Sequence, residues 1–235
     1  MKLAIMQPYF FPYLGYFDLL NIVDEWIVFD TSQYVRRSWM NRNRILKPDN
    51  GWQYITIPVQ KHHQQTPYNQ ILVSESDWDE KILRQLDHYK KGAPYYKDVI
   101  SLLEDCFSNL PENLTMVNTI LFEKTAHYLG IKKPIYVFSE MNLDLEIDNV
   151  GKSDWSWVIA HKVNAKEYIN RPGGKGFINE PEFLKRGIKL TFQDFENMVY
   201  STGKAHQFES GLSIIDVMMW NSPAEIKNYL DTWRK

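Results

Sequence analysis

Cysteine is nearly absent from this chain of 235 residues, because Cys106 is the only one. A single thiol excludes an intrachain disulfide and any metal site built from several thiolates. Cys106 lies in LLEDCFSNL, which has the apolar spacing of a helix. We expect it to be a small, buried apolar residue.

Long apolar runs are missing as well. No window of the chain approaches eighteen uninterrupted apolar residues, so the sequence predicts no membrane span. The first seventeen residues contain no acid, but Gln7, Pro8 and Pro12 interrupt them and no small-x-small cleavage site is present. Such a segment predicts folded structure rather than a signal peptide, and we expect a cytoplasmic protein without membrane insertion.

Charge of one sign does not dominate either. The 27 Lys and Arg residues nearly balance the 29 Asp and Glu residues, for a net charge of −2. This balance argues against a dedicated nucleic-acid-binding protein but not against a local basic patch. With 44% hydrophobic and 24% charged residues, the composition excludes disorder and allows one large domain, with or without a smaller subdomain.

Aromatic residues, in contrast, are abundant. They make up 14% of the chain, and ten of them fall between Tyr9 and Trp39. Part of this excess belongs to a core. The dense part flanks two candidate ligand segments, and because aromatic faces stack on nucleobases and on the apolar C–H surfaces of sugars, it indicates a sugar- or nucleotide-binding surface.

Hydrophobic periodicity predicts alternating strands and helices. Residues 2–7 form an apolar run stopped by Pro8, residues 14–24 have apolar residues at helical spacing, and residues 25–30 form a second apolar run. This βαβ unit implies two parallel strands with a right-handed crossover. Further strands are expected at residues 52–59, 131–139, 165–169 and 188–192, and further helices at residues 76–89, 94–107, 111–129, 155–163, 212–220 and 223–233.

The alternation predicts an α/β fold with a mainly parallel, Rossmann-like sheet. Three predicted helices follow one another within residues 76–129 with no strand between them. We therefore expect residues 1–75 and 130–235 to form the α/β domain, and residues 76–129 to form a helical insert that caps the edge of the sheet.

The first candidate ligand segment is QPYFFPYLGY, which joins the first strand to the first helix. Ligands of open α/β sheets bind at the carboxyl ends of strands, where helix N-termini offer free N–H groups. Gly15 would let a ligand approach the backbone, and Tyr13 and Tyr16 project from one side of the first helical turn. The alternative is an aromatic joint that only packs, with a shape fixed by its prolines. The candidate residues are Gln7, Pro8, Tyr9, Tyr13, Gly15 and Tyr16.

The second candidate segment is YVRRSWMNRNRI, which follows the second strand and so belongs to the same edge of the sheet. No acid occurs within residues 31–48. Guanidinium groups suit phosphate or carboxylate, and asparagine amides add hydrogen-bond donors and acceptors. A solvated basic loop is the alternative, although the interleaved Trp39 and Met40 disfavour full solvation. The candidate residues are Arg36, Arg37, Asn41, Arg42, Asn43 and Arg44.

Weaker signals lie in three polar stretches. The adjacent His62 and His63 lack a carboxylate or cysteine partner, which predicts a loop and no metal site. RPGGKG could cradle a phosphate with Lys175, although the Walker spacing is absent. STGKAH offers Lys204 for binding and His206 as a general acid or base, with capping or hydrogen bonding as the alternative role. No G-x-S-x-G, H-E-x-x-H or G-x-G-x-x-G motif occurs.

Three segments together resemble the WbqC-like protein family. They are MKLAIMQPYFFPYLGYFDLL at residues 1–20, YVRRSWMNRNRI at residues 34–45 and GLSIIDVMMWNSP at residues 211–223. Their order and spacing match along most of the chain, and the helical insert is the least distinctive part. The resemblance implies a place in gene sets for O-antigen and other surface polysaccharides. Members have been described as glycine or acyl transferases that act on amino sugars.

The strand, turn and helix at the start are also similar to the HxGH turn of nucleotidylyl transferases and of pantothenate synthetase. In those enzymes the turn binds ATP, and in the latter it supports amide formation through an adenylate. By this resemblance, Tyr13 and Tyr16 take the two histidine positions around Gly15. A phenol donates a hydrogen bond but cannot carry the positive charge of a histidine. Either the arginines of residues 36–44 supply that charge, or the turn binds a nucleotide sugar without cleaving it.

These features predict an enzyme of surface-polysaccharide assembly that modifies an amino sugar, carried on a nucleotide, by forming an amide with a glycyl or other acyl group. His206 and Tyr16 are the candidate catalytic residues, and the arginines would hold diphosphate or adenylate. The activated acyl group would come from a reaction with ATP or from another activated acyl donor. The alternative is a non-catalytic nucleotide- or sugar-binding module of a biosynthetic complex. We expect a small-molecule partner and no nucleic acid, because the remainder of the chain is acidic.

Overall fold

The computed structural model describes residues 1–145, 150–204 and 206–234. The strands are β1 (Lys2–Met6), β2 (Glu25–Val28), β3 (Arg42–Leu46), β4 (Trp52–Thr56), β5 (Ile135–Val137), β6 (Glu167–Asn170) and β7 (Lys189–Phe192). The α-helices are α1 (Leu14–Ile22), α2 (Trp78–Leu86), α3 (Tyr96–Phe107), α4 (Leu114–Tyr128), α5 (Trp155–Lys162), α6 (Glu180–Lys185), α7 (Ile214–Trp220) and α8 (Pro223–Thr232).

Five of these strands form a parallel sheet in the order β5-β2-β1-β6-β7. β1 pairs with β2 from Leu3 opposite Glu25 to Met6 opposite Val28, and α1 makes the crossover between them. On its other side β1 pairs with β6, which pairs in turn with β7. The predicted βαβ unit and the predicted α/β fold with a mainly parallel, Rossmann-like sheet are confirmed.

Helices cover both faces of this sheet. Leu3 and Ile5 of β1 belong to an apolar cluster with α5 and α6, whereas Ala4 between them belongs to a larger cluster with α1, α4 and α7. Because side chains alternate between the faces of a strand, β1 must be apolar on both. α1 and α7 are both deeply buried, since every residue from 14 to 20 and from 214 to 220 is buried.

The structure differs from the sequence prediction in the basic segment, where β3 forms. It pairs antiparallel with β4 in a separate two-stranded sheet. The strand predicted at residues 52–59 is therefore shorter, Trp52–Thr56, and lies outside the main sheet. Asn43 of β3 is buried, and Arg42 and Arg44 are half-buried on the other face of the strand. Because these three residues are polar, the sequence of β3 resembles that of a polar loop.

Other differences concern short elements. The strand predicted at residues 131–139 is limited to Ile135–Val137, and the one predicted at residues 165–169 is Glu167–Asn170. The short helix α6 was not predicted. Six residues are too few for apolar periodicity to reveal a helix.

The helices α2, α3 and α4 occupy the segment predicted as an insert. Their apolar residues belong to the same cluster as those of α1 and α7, and Phe122 of α4 packs on Phe17 and Trp26 with ring centres 5.0 and 5.1 Å apart. Cys106 of α3 is fully buried, as predicted, and burial raises the pKa of its thiol to about 12. The division of the chain into an α/β domain and an insert stays a prediction.

None of the helices in the described ranges combines the length and the apolar character needed to cross a membrane.

Candidate functional site

The strand order of the main sheet reverses beside β1. From β1 the chain passes through α1 to β2 on one side, whereas β6 and β7 lie on the other side. Ligands of open α/β sheets bind in the crevice that such a reversal leaves at the carboxyl ends of the strands. β1 ends just before Gln7 and β6 ends at Asn170, and two cavities lie at this edge.

The turn after β1 has a strained backbone that two other parts of the chain hold. Phe11 has a φ of 38°, a left-handed conformation that bulky residues rarely adopt. Nδ2 of Asn43 donates hydrogen bonds to the carbonyls of Phe10 (3.1 Å) and Phe11 (2.7 Å). Oγ of Ser213 donates to the same carbonyl of Phe11 at 2.9 Å. The three segments recognised separately in the sequence thus meet at one carbonyl group.

Pro8 and Asn41 of the candidate segments also face the interior. The carbonyl of Pro8 accepts hydrogen bonds from Oη of Tyr68 (2.9 Å) and from Nδ2 of Asn118 (3.0 Å). Nδ2 of Asn41 donates to the carbonyl of Ile57 at 3.2 Å. Like Asn43, Asn41 therefore donates its amide N–H to a backbone carbonyl of the protein.

Two tyrosines of the turn lie against the guanidinium group of Arg171, which directly follows β6, and a third packs on one of them. The guanidinium lies 4.6 Å from the ring centre of Tyr13 and 5.1 Å from that of Tyr16, and Tyr9 stacks on Tyr16 at 4.9 Å. Gly15 is required by this arrangement, because a Cβ there would lie 2.4 Å from the Tyr13 ring. In the described parts of the chain no carboxylate pairs with Arg171, and its buried Nε has no hydrogen-bond partner. Tyrosine rings thus hold the guanidinium in the wall of the first cavity, and no described carboxylate neutralises its charge.

Burial determines the protonation state of two of these phenols. Desolvation raises the pKa of Tyr13 and raises the pKa of Tyr16 well above its usual value, while the positive charge of Arg171 opposes both shifts. Both phenols are therefore neutral at physiological pH. Tyr16, which is 1% exposed, donates a hydrogen bond from its hydroxyl group to the carbonyl of Gln7 at 3.5 Å. In this state it can orient a ligand by hydrogen bonding but cannot act as a general base.

The first cavity, of about 230 Å³, contains two guanidinium groups, those of Arg44 and Arg171. The guanidinium of Arg44 lies over the indoles of Trp39 (5.3 Å) and Trp52 (5.1 Å), and its Nη2 donates to the carbonyl of Gly211 at 3.4 Å. The described lining contains no Asp, Glu or His; it consists of Tyr9, Pro12, Tyr13, Trp39, Asn43, Arg44, Arg171, Asn197 and Gly211. Two fixed cations without a compensating acid favour an anionic ligand.

The second cavity, of about 260 Å³, shares Tyr9 with the first and lies beside the ends of β1 and β6. Its walls are mainly aromatic and apolar, and Lys152 is the cation among its described residues. Ser153 and Ser156, at the start of α5, add hydroxyl groups. The lining consists of Ile5, Met6, Gln7, Tyr9, Tyr16, Phe29, Lys152, Ser153, Trp155, Ser156, Tyr168, Asn170, Phe177 and Ile178. Such a slot suits a planar ring that carries a negatively charged group.

Five other predicted binding residues lie outside the described linings of both cavities. Arg36 donates to a backbone carbonyl at 3.1 Å, and Arg42 lies over a tyrosine ring of β4 at 4.0 Å. Arg37, Lys175 and Lys204 are exposed. Among the arginines of the basic segment, Arg44 therefore lines the first cavity, and Arg42 lies on the surface of the β3–β4 hairpin beside Arg44.

His206 also lies outside the described linings. Its ring contacts those of His88, Tyr89 and Trp220, with ring centres 5.4, 6.2 and 6.0 Å away. No group of three or more His, Cys, Asp or Glu within the described ranges is placed to hold a metal ion.

The WbqC-like protein family matches residues 7–228, a range that contains the QPYFFPYLGY turn and the other two segments that meet at it. The chain belongs to the WbqC-like protein family. The uncharacterized protein Rv1507c of Mycobacterium tuberculosis is 31% identical to it over 233 residues, which cover 97% of each chain. No solved structure matches it significantly. The family resemblance carried by the three sequence segments is confirmed.

The site of this WbqC-like protein also contains residues that its sequence did not single out, among them Lys152, Trp155, Asn170 and Arg171. Arg171 had a usable signal, because it directly follows a predicted strand and so belongs to the ligand-binding edge of the sheet. The glycines of RPGGKG instead favoured a phosphate loop centred on Lys175. Lys152 and Trp155 belong to no recognisable motif.

Proposed function

We propose that this WbqC-like protein binds a nucleotide-linked amino sugar and acylates its amino group, by glycyl or other acyl transfer, as a step in the assembly of O-antigen or another surface polysaccharide. The observation that carries the proposal is the position of Arg171, between tyrosine faces at the reversal of strand order, where two cavities share Tyr9. A nucleotide sugar offers the three groups that such a site can recognise: a planar base, a diphosphate and a sugar ring.

The charge of the cavities supports a diphosphate ligand. Arg44, Lys152 and Arg171 line them, and none of their described lining residues is acidic. A guanidinium presents a planar fork of N–H donors that matches the oxygens of a phosphate. Because stacking holds both guanidinium groups by their faces, this fork is already oriented before a ligand binds.

The aromatic lining supports the rest of the ligand. The second cavity offers Phe29, Trp155 and Phe177 to a nucleobase, and the first offers Tyr9 and Trp39 to a sugar ring. We therefore assign the nucleoside to the second cavity, the diphosphate to Arg171 and the amino sugar to the first cavity.

Amide formation requires chiefly the positioning of its two reactants. The neutral amine nitrogen attacks the carbonyl carbon of the activated acyl group and a C–N bond forms. The bond to the leaving group breaks, and the leaving group departs with the electron pair and takes the proton that the nitrogen loses. The activated acyl group would come from a reaction with ATP or from another activated acyl donor. Arg44 or Arg171 would stabilise the negative charge that develops with a full positive charge, which the neutral phenols of Tyr13 and Tyr16 do not carry.

A non-catalytic nucleotide- or sugar-binding module is the second candidate function. One observation favours it: the described linings contain no carboxylate or histidine that could serve as a general base. The predicted base, His206, packs instead among His88, Tyr89 and Trp220.

Calorimetric titration with a nucleotide-linked 4-amino sugar tests the binding site. We expect Arg171→Gln to weaken binding about tenfold or more, because it removes charge-assisted hydrogen bonds to phosphate. Arg171→Lys should recover only part of the affinity, since an ammonium lacks the planar fork. Arg186→Gln is the matched control, because Arg186 likewise lies over an aromatic ring, the indole of Trp157 at 3.6 Å, and lines neither cavity.

Turnover separates the two candidate functions. The protein is incubated with the amino sugar nucleotide and either glycine plus ATP or a pre-activated glycyl donor, and the product is identified by mass spectrometry. A new amide that Arg171→Gln abolishes supports the transferase, and unchanged turnover in His206→Gln would remove His206 from the mechanism. Arg171-dependent binding without product from any donor supports the module. Absence of binding would contradict both.

A further inference from the structure

A strip of aromatic rings and guanidinium groups lies on one face of the β3–β4 hairpin. Arg42 lies over Tyr54 at 4.0 Å, and Arg44 lies over Trp52 at 5.1 Å and under Trp39 at 5.3 Å. Residues two apart in a strand share a face, so these pairs form successive rows about 7 Å apart. We call these five residues the hairpin strip. Its two indoles remain 39% and 40% exposed, although they are large apolar groups.

The hairpin strip continues from the first cavity. Trp39 and Arg44 belong both to the strip and to the cavity lining, whereas Arg42, Trp52 and Tyr54 lie beyond it. The same cavity shares Tyr9 with the second cavity. The first cavity therefore adjoins the second cavity at Tyr9 and the hairpin strip at Trp39 and Arg44, and a ligand group in it can be reached from both.

The chemistry of the hairpin strip restricts what can bind there. Its polar side-chain groups are two guanidiniums, one indole N–H on each tryptophan and one phenol, so almost all are hydrogen-bond donors. Sugar hydroxyls need acceptors as well as donors, and no carboxylate or amide belongs to the strip. Planar rings beside fixed cations suit a ligand with a planar base and a phosphate.

We propose that the hairpin strip binds the nucleoside-phosphate end of the acyl donor and so brings the acyl carbon to the amine in the first cavity. This inference rests on the proposed function. Acyl adenylates, thioesters of coenzyme A and aminoacyl esters at the 3′ end of an RNA all carry an adenosine with a phosphate. In each case the amine nitrogen bonds to the acyl carbon, the C–O or C–S bond to the carrier breaks, and the carrier leaves with the electron pair and the proton.

Calorimetric titrations of the full chain with adenosine 5′-monophosphate, coenzyme A and a short single-stranded RNA ending in adenosine distinguish these three sources. We expect one of the probes to bind, and to bind equally well when the nucleotide-linked amino sugar is present. Arg42→Gln and Tyr54→Leu should each weaken that probe about tenfold, the size of effect measured for the loss of one stacked ring or one phosphate contact. Both variants should leave the affinity for the nucleotide-linked amino sugar unchanged, because neither residue lines a cavity.

Three results would overturn the inference: no probe binds, the probe competes with the amino sugar nucleotide, or Arg42→Gln and Tyr54→Leu bind the probe as the wild type does. A neutral oligosaccharide that binds the strip more tightly than every probe would also overturn it. These failures differ from failure of the proposed function, which appears as loss of Arg171-dependent binding of the amino sugar nucleotide. Arg186→Gln again serves as the control for removal of a stacked guanidinium.

Discussion

Tyr13 lies directly against the backbone of Gly15, two residues further along the chain. The ring occupies the space in which any other residue would carry its Cβ, and its face holds the guanidinium of Arg171. A glycine with no positive φ is therefore required by a neighbouring side chain. Tyr13 and Gly15 together therefore determine where the guanidinium of Arg171 lies relative to the turn.

We predict that Gly15→Ala weakens binding of a nucleotide-linked amino sugar about tenfold while lowering the melting temperature only slightly. The new Cβ would lie 2.4 Å from the end of the Tyr13 ring, which can swing away and release Arg171. Calorimetry and thermal unfolding measure the two effects. Gly173→Ala is the control, since a Cβ at that position meets no atom within 4 Å. Unchanged affinity in Gly15→Ala would separate the tyrosine from the function of Arg171.

Among the elements, the β3–β4 hairpin connects the turn to the rest of the molecule. On one face of β3, the amide of Asn43 donates hydrogen bonds to two carbonyls of the turn. Arg42 and Arg44 lie on the other face. The strand thus stabilises the backbone of the site with one face and contributes its charge with the other.

Asn43→Asp should therefore destabilise the protein by about 2–4 kcal/mol, because a buried carboxylate would face two carbonyl oxygens in place of a donor. Urea unfolding at neutral pH measures the loss, and Asn228→Asp, at an exposed position of α8, is the control. Ser213→Ala should cost about 1 kcal/mol, since it removes one of the hydrogen bonds to the carbonyl of Phe11. Equal stability of Asn43→Asp and the control would mean that the turn keeps its conformation without the amide.

The parts of the fold and of the candidate site that could be predicted from sequence are those whose residues form a pattern within a short stretch of the chain. The βαβ unit was predictable because its apolar periodicities lie within thirty consecutive residues. The role of Asn43 was not, because residue type does not reveal whether an amide meets a ligand or a backbone carbonyl. Arg171 and its tyrosines are far apart in the chain and join only through the pairing of β1 with β6. The β3–β4 hairpin could not be predicted because the polar residues of β3 are those expected in a loop.

At the scale of the whole molecule, α1 is tied to the end of the described chain. Asp18 of α1 is fully buried, accepts a hydrogen bond from Nε1 of Trp233 at 2.8 Å and forms an ion pair with Arg234. Gln193, which follows β7, donates to Asp18 and, at 2.9 Å, to the carbonyl of Gly15. The helix that carries the site tyrosines is therefore held by distant parts of the chain.

We predict that Arg234→Met lowers the free energy of unfolding by about 2–4 kcal/mol, because it leaves the buried carboxylate of Asp18 without its cation. Adding Asp18→Asn to that variant should recover part of the loss by removing the charge. Urea unfolding of the wild type, Arg234→Met and the double variant decides the matter. If Arg234→Met is as stable as the wild type, the ion pair contributes nothing measurable.

The bond between Ser213 and the carbonyl of Phe11 spans 202 positions of the chain. At a synthesis rate of about 5–20 residues per second, the turn leaves the ribosome about 10–40 s before its partner in α7 exists. During that interval Asn43 can already donate to the carbonyl of Phe11, but the hydrogen bond from Ser213 is missing. The hydrogen bonding that holds the turn is therefore complete only after Ser213, near the far end of the chain, has been synthesised.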